Sequence, residues 1–228
     1  MSLQRLLLSL AALAAIAVFA SLGRWQLGRA ELKEQREEAL AAALAAAPRG
    51  LADVLAAGHP GPVRVRAAAG RWLEPALLLD NQVRDRRNGV RVYRVFQPDG
   101  APAVLVELGW LPWSPERRLP SLPELPSGGS PEGVLLPWPG QALALAPLPP
   151  RPGRGPWLLP RIEREALAAA LGVALYDGVL LAGVDPAVAI EDPMPPERHR
   201  GYAVQWFALA ALVAIVYGVL SWKHRRRR

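Results

Sequence analysis

The sequence contains no cysteine, and this absence excludes several kinds of chemistry at once. Without thiols, the chain cannot form disulfides, zinc ribbons, iron–sulfur sites or a thiolate-ligated haem. Methionine is limited to Met1 and Met194, and histidine to His59, His199 and His224. Because copper delivery needs soft sulfur ligands or clustered imidazoles, these few scattered side chains argue against a copper chaperone.

Charged residues are missing from two stretches, one near each end of the chain. Leu6–Gly23 and Gly201–Trp222 contain no Asp, Glu, Lys, Arg or His. As helices they would be about 27 Å and about 33 Å long, which is close to the thickness of a bilayer's hydrocarbon core. The sequence therefore predicts two transmembrane helices.

The first of these stretches has a second interpretation, as a cleaved signal peptide. Arg5 precedes it, and Val18–Ala20 is an acceptable small-residue cleavage site. We favour a retained helix because the apolar run is long for a signal peptide. In addition, Gln26, Arg29 and Lys33 follow it at helical spacing, as expected of a helix that leaves the membrane.

The positive charge of the chain is concentrated at its C-terminal end. The formal net charge is +7, and the tail Lys223–Arg228 carries one Lys and four Arg. This distribution predicts a membrane-side anchor and no nucleic-acid partner. Basic residues around the first span favour the opposite orientation, but we give the denser tail more weight. We therefore expect both termini to be cytoplasmic and the central domain to be periplasmic or extracellular.

The segment between the spans is predicted to form one β-rich domain. Strands are expected at Val63–Arg66, Ala76–Asp80, Val90–Phe96, Ala103–Leu108, Val134–Trp138, Gln141–Leu145 and Val173–Val184. Asn88–Gly89 predicts a tight hairpin turn, and Ile162–Leu171 predicts a helix that ends at Gly172. Asp80 and Asp85 are interpreted as part of a solvated hairpin face.

The expected fold class is thus a membrane α+β protein. Two transmembrane helices flank one extramembrane domain, which is built on an antiparallel β-sheet with one or two helices. The predicted boundaries are 1–23 for the first transmembrane helix, 24–48 for its helical extension, 49–197 for the extramembrane domain with a Pro-rich loop at 112–133, 198–222 for the second transmembrane helix and 223–228 for the basic tail.

Enzyme signatures are missing, and one histidine stands out. The sequence has no phosphate-binding loop, zinc-protease motif or nucleophile elbow, which argues against an enzyme. His199, Tyr202 and Trp206 share one helical face, where the imidazole could ligate haem iron beside two aromatic rings. The alternative is that these residues are polar and aromatic anchors at the membrane interface. Gln205 should face a polar partner, with Gln26 as a candidate, unless both lie in the wet interface.

Four segments, taken in order, resemble the Surfeit-locus (Surf/Shy) family. They are Gly23–Lys33, Leu77–Arg84, Val104–Pro112 and, most specifically, His199–Phe207. The resemblance implies a cytochrome c oxidase assembly factor in the bacterial plasma membrane or the mitochondrial inner membrane. It also implies a role in placing haem a into the catalytic subunit of the oxidase. His199 would be the iron ligand, and Trp206 would lie next to the haem.

The implied partners are membrane lipid, the catalytic subunit and the enzymes of haem a synthesis. We take the bacterial plasma membrane as the expected location. The chain departs from the family pattern at Glu107–Leu108 and at Val90, which weakens any role carried by the extramembrane motifs. Two other functions stay open: a scaffold that holds oxidase intermediates without haem, and an unrelated two-span envelope binding protein.

Overall fold

A computed structural model describes residues 3–58, 61–118, 121–123, 125, 129–138, 155–182 and 194–226. The chain divides into two compact units. A helical unit contains Met1–Glu38 and Asp192–Arg228, and a β-rich unit contains Ala39–Glu191. The strand predicted at Gln141–Leu145 lies outside the described residues.

The helical unit consists of α4 (Pro196–Arg226) and most of α1 (Leu3–Ala45), whose last residues, from Ala39, belong to the β-rich unit. Proline suits the first position of α4 because its missing N–H would have no partner there. Glu197 in the first turn and four basic residues in the last turn both complement the helix dipole. By length and composition, both helices can cross a membrane, as predicted. Their large apolar side chains, such as Leu7, Val18 and Ile215, are mostly exposed, as expected of a lipid-facing surface.

The β-rich unit contains a single eight-stranded sheet in the part of the chain that is described. Its strands are β1 (Arg49–Gly50), β2 (Val63–Arg66), β3 (Gly70–Arg84), β4 (Arg87–Pro98), β5 (Ala103–Pro112), β6 (Glu132–Pro137), β7 (Trp157–Leu159) and β8 (Leu175–Leu181). Their order across the sheet is β1-β2-β6-β8-β5-β4-β3-β7. The meander β3-β4-β5 is antiparallel, whereas β1-β2, β3-β7 and β5-β8 are parallel pairs. The predicted fold class is confirmed, with the refinement that the sheet is mixed.

Apolar side chains cover both faces of the sheet, and each face has its own helix. Helix α2 (Leu51–Ala57) contributes Leu51 and Val54 to one core, and helix α3 (Arg164–Leu171) contributes Leu167 to the other. Strand β5 supplies Val104 to the first core and Leu105 to the second. A central strand buried on both sides explains why its sequence is continuously apolar rather than alternating.

The predicted position of the β3–β4 turn is wrong. The turn lies at Asp85–Arg86, which both adopt positive φ, and Asn88 and Gly89 belong to β4. Glycine at position 89 serves close packing instead. A Cβ there would come within 2.4 Å of the Leu111 carbonyl oxygen and 2.5 Å of the Trp110 ring. The Asn-Gly pair therefore marks a tight contact between strands, not the hairpin turn.

The predicted helix before Gly172 is confirmed. Gly172 adopts a left-handed conformation with φ of 65°, and its N–H bonds to the carbonyl groups of Ala168 and Ala169. This geometry ends the helix and returns the chain into β8. The pairing of β8 with β5 is irregular between Leu175 and Val179.

Substituting Gly133 should destabilise the sheet. A Cβ at this position would lie 1.8 Å from the Leu181 carbonyl oxygen, so Gly133→Ala forces β6 and β8 apart. We expect a loss of about 1–3 kcal/mol in the free energy of unfolding. Thermal unfolding of the full chain in detergent measures it. Gly61→Ala is the matched control because its Cβ would meet nothing within 4 Å. Equal midpoints for the two variants would contradict the packing described.

Candidate functional site

The two long helices of the helical unit pack antiparallel, and small and aromatic residues form the apolar part of their contact. A Cβ on Gly23 would lie 2.8 Å from the Phe207 ring, so glycine is what allows this close approach. Nearby, Phe19 and Trp206 stack with ring centroids 5.7 Å apart and an interplanar angle of 28°. Two of the motifs quoted above, one from each helix, therefore face each other.

Polar contacts continue the same helix contact beyond Gly23. They join Gln26 to His199, Lys33 to the backbone carbonyl of Met194, and Glu34 to Arg200. Lys33 is buried, which a lysine tolerates only when its ammonium group has partners. Gly23, Gln26, Ala30 and Lys33 recur at spacings of three and four, which is the pattern of one helix face. We call the contacts of α1 with Met194, His199, Arg200, Trp206 and Phe207 the helix seam.

His199 lies in the seam, with only 6% of its surface exposed. Its Nδ1 is 2.6 Å from Oε1 of Gln26. Because an amide oxygen can only accept a hydrogen bond, the imidazole donates from Nδ1. In the neutral ring, the lone pair is then on Nε2, the nitrogen available to a metal ion. Nε2 is itself screened from solvent in this arrangement.

The other two predicted site residues lie in different surroundings. Trp206 is half-buried against Phe19, on the same side of α4 as His199. Tyr202 is 43% exposed. Gln205 is also exposed, and Gln26 contacts His199 rather than Gln205. Sequence reasoning named Gln26 but not this pairing, and it missed Phe19, for which the helical spacing to Gly23 was the available signal.

The donor atoms of the seam fit a metal ion bound through one imidazole. Within the described residues, no group of three or more His, Asp or Glu side chains could hold a metal ion. One neutral imidazole with a fixed tautomer is the donor that haem iron accepts axially. The aromatic pair Phe19–Trp206 provides apolar surface two turns further along α4, about 10 Å away along the helix. The chemistry of these residues therefore fits haem, although His199 must become accessible for its nitrogen to reach iron.

The two extramembrane motifs lie in β3 and β5, the strands on either side of β4. The indole N–H of Trp113 donates to Asp80 at 2.8 Å, and Arg117 forms an ion pair with the same carboxylate at 2.9 Å. Burial opposes the ionised form, but these groups and the backbone N–H of Asn81 hold the pKa of Asp80 below its usual value. Asp80 therefore holds the segment after β5 in place, and its role is structural.

Glu107 is the charged group most deeply buried in the β-rich unit among the described residues, with 4% of its surface exposed. It accepts a hydrogen bond of 2.8 Å from the Tyr93 hydroxyl, and the Arg91 guanidinium lies 3.5 Å away. Burial raises the pKa of this carboxyl, and the two neighbours offset the effect only in part. The departure from the family pattern at Glu107 thus has a structural explanation: the carboxyl belongs to a buried polar network.

The structure defines a class of protein: a membrane protein with two helices, a polar helix seam and a β-rich domain between the helices. Comparison with known families gives a more specific result. The model of the SURF1 family matches residues 13–211, so the chain belongs to the SURF1 family, whose members are assembly factors for cytochrome c oxidase. The family resemblance seen in the sequence is therefore confirmed. No curated protein matches the chain significantly.

Enlarging Gly23 should loosen the helix seam. In Gly23→Val, the added side chain meets the Phe207 ring, and we expect a loss of about 1–3 kcal/mol in stability. Gly28→Val is the control in the same helix, because a Cβ at Gly28 meets nothing within 4 Å. The change in helix propensity is the same for both variants, so their difference in thermal midpoint reports the contact with Phe207. A control as unstable as Gly23→Val would argue against the close approach.

Replacing Glu107 by glutamine should change how stability depends on pH. A carboxyl whose pKa is raised on folding stabilises the fold below its ordinary pKa, and this stabilisation is lost as pH rises through the raised value. Wild type should therefore lose stability relative to Glu107→Gln as pH rises from about 4, the ordinary pKa of a glutamate, through the raised pKa of Glu107. Thermal unfolding of both chains across this range makes the comparison. Parallel pH profiles would show that the carboxyl is not perturbed.

Proposed function

We propose that this chain assists the placement of haem a into the catalytic subunit of cytochrome c oxidase, by holding haem a transiently at His199. The observation that carries the proposal is the imidazole of His199, held by Gln26 inside the helix seam, with an aromatic pair two turns further along α4. Membership of a family of oxidase assembly factors supports the oxidase as the destination. The protein itself catalyses no reaction in this proposal.

Each part of the seam has a function in such a holder. His199 supplies one axial ligand, and Gln26 holds the ring. Trp206 and Phe19 supply apolar surface for a flat macrocycle, and Tyr202, being exposed, is free to turn toward it. When bound, haem a would supply an iron that an imidazole can ligate. Ligation by a single imidazole suits release, because a second protein ligand would slow dissociation.

The location and partners follow from the same proposal. The chain resides in the bacterial plasma membrane, with both termini cytoplasmic and the central domain outside. Four exposed basic residues in the last turn of α4 agree with this orientation. Membrane lipid surrounds the helices, the catalytic subunit receives the haem, and the enzymes of haem a synthesis are the source. Reporter fusions at both ends and in the central domain test the orientation, and a cytoplasmic central domain would contradict it.

A scaffold that never touches haem is the second candidate, and the burial of His199 favours it. A histidine that is 6% exposed and bonded to Gln26 can serve simply as a polar contact between two helices. In that case the chain holds oxidase intermediates, and the imidazole contributes only to stability. The two candidates differ in whether His199 binds iron.

Replacing His199 by alanine separates the two candidates. Purified in detergent with haem a added, wild type should show a bound-haem absorption spectrum, and His199→Ala should weaken binding at least about tenfold, since the axial ligand is lost. His224→Ala is the matched control, because His224 is an exposed imidazole in the last turn of α4. Cells that carry His199→Ala should also contain less active oxidase than cells that carry the control.

Equal retention of haem by wild type and His199→Ala would show that His199 is not the ligand. Co-purification of oxidase subunits without pigment, unchanged in His199→Ala, would support the scaffold instead.

A further inference from the structure

We propose that Gln26 is a positioning residue for His199: its amide oxygen selects the tautomer in which Nε2 carries the lone pair, and so presents that nitrogen to iron. This inference rests on the proposed function. It gives α1 a role in the site, although the histidine that would bind iron lies on α4.

The geometry at Nδ1 supports the selection of one tautomer. The Nδ1–Oε1 distance of 2.6 Å is that of a short hydrogen bond, and a carbonyl oxygen cannot donate. The alternative tautomer, with the proton on Nε2, would place two lone pairs against each other at Nδ1. His199 is 6% exposed and Gln26 is half-buried, so water screens such a repulsion only in part. With Oε1 in this position, the Nδ1–H form is the one that makes the hydrogen bond.

The position of Gln26 in its helix is itself constrained. It lies one turn after Gly23, where the helices approach closely, and one turn before Ala30, which is 1% exposed. Lys33 and Glu34 contact the start of α4 on the other side. Gln26 thus lies between two parts of α1, Gly23 and Lys33–Glu34, whose own contacts fix the position of the helix. A helix shift of one residue would carry it away from His199.

The neutral amide also sets how strongly the imidazole can donate to iron. A carboxylate acceptor at Nδ1 would draw the proton toward itself and make the ring a stronger ligand. An amide oxygen polarises the ring less. Gln26 therefore orients His199 without making it a permanent ligand, which suits a protein that has to release what it binds.

The first experiment needs no haem. Nitrogen-15 NMR of the full chain in detergent, labelled at histidine, distinguishes the two tautomers because protonated and unprotonated ring nitrogens resonate far apart. The chain has three histidines, and loss of a signal in His199→Ala assigns the relevant one. Wild type should show His199 as the Nδ1–H tautomer. Gln26→Leu should lose this preference, whereas Gln26→Glu should retain it.

Gln35→Leu is the matched control, since Gln35 is an exposed glutamine in the same helix. It should leave the His199 signals unchanged. A Gln26→Leu chain that keeps the pure Nδ1–H form would overturn the assignment.

The second experiment adds haem a. Gln26→Leu should weaken binding by about 10- to 100-fold relative to wild type and Gln35→Leu. In Gln26→Glu, binding should be restored and the reduction potential of the bound haem should fall, because the ring becomes a stronger donor. A purely structural role for Gln26 predicts no such change in potential. Equal binding and equal potential in all four chains would overturn the proposal.

Failure of this inference can be distinguished from failure of the proposed function. If wild type binds haem through His199 and Gln26→Leu binds it equally well, Gln26 is not a positioning residue and the proposed function stands. If wild type binds no haem while the tautomer still depends on Gln26, the haem-holding function fails and Gln26 controls the ring of a structural histidine.

Discussion

A polar group enclosed between two helices has to find its partner on the opposite helix, because neither lipid nor a dry contact supplies water. The helix seam follows this constraint. The imidazole of His199 contacts Gln26 on the other helix, the ammonium group of Lys33 contacts the Met194 carbonyl just before α4, and Glu34 pairs with Arg200. These contacts are directional, so they fix which residue of α1 lies opposite which residue of α4, a specificity that apolar packing alone would not impose.

The contacts near the two ends of the helix pair are consistent with a single register between α1 and α4. Ser9 and Tyr217 are hydrogen-bonded near one end of the pair, and Gln26 and His199 lie toward the other. The number of residues between these contacts is almost the same on both helices, so a single register between α1 and α4 satisfies both contacts. The close approach at Gly23 lies between them. A substitution that shifts this register would therefore separate several polar pairs together.

The sequence was most informative where one physical property decides the structure. Two charge-free stretches determine the membrane helices, and Gly172 ends α3 by its own conformation. It was less informative where two distant residues meet. Nothing local in Gln26 shows that its partner is His199 rather than Gln205, since the choice depends on the register between helices. The Asn88–Gly89 signal failed for a related reason: glycine was required by the Trp110 ring, which is remote in sequence.

In the β-rich unit, residues of the family motifs stabilise the fold. Asp80 anchors the segment after β5 through Trp113 and Arg117, and Glu107 completes a buried network with Tyr93 and Arg91. Motifs in this unit therefore report on folding more directly than on a reaction. In the proposed function, the residues that would hold haem a are those of the helix seam and not those of the β-rich unit.

The contact between Gln26 and His199 also determines how deep in the bilayer the imidazole lies. The uncharged stretch of α1 ends at Gly23, and that of α4 begins at Gly201, so both helices reach the edge of the hydrocarbon within one turn of the imidazole. The ring accordingly lies at the level of the lipid headgroups rather than at the bilayer midplane. In the proposed function, haem a held there would keep its rim in the acyl chains and its acidic groups among the headgroups. It would then pass sideways to a neighbouring membrane protein, travelling in the plane of the leaflet without entering water.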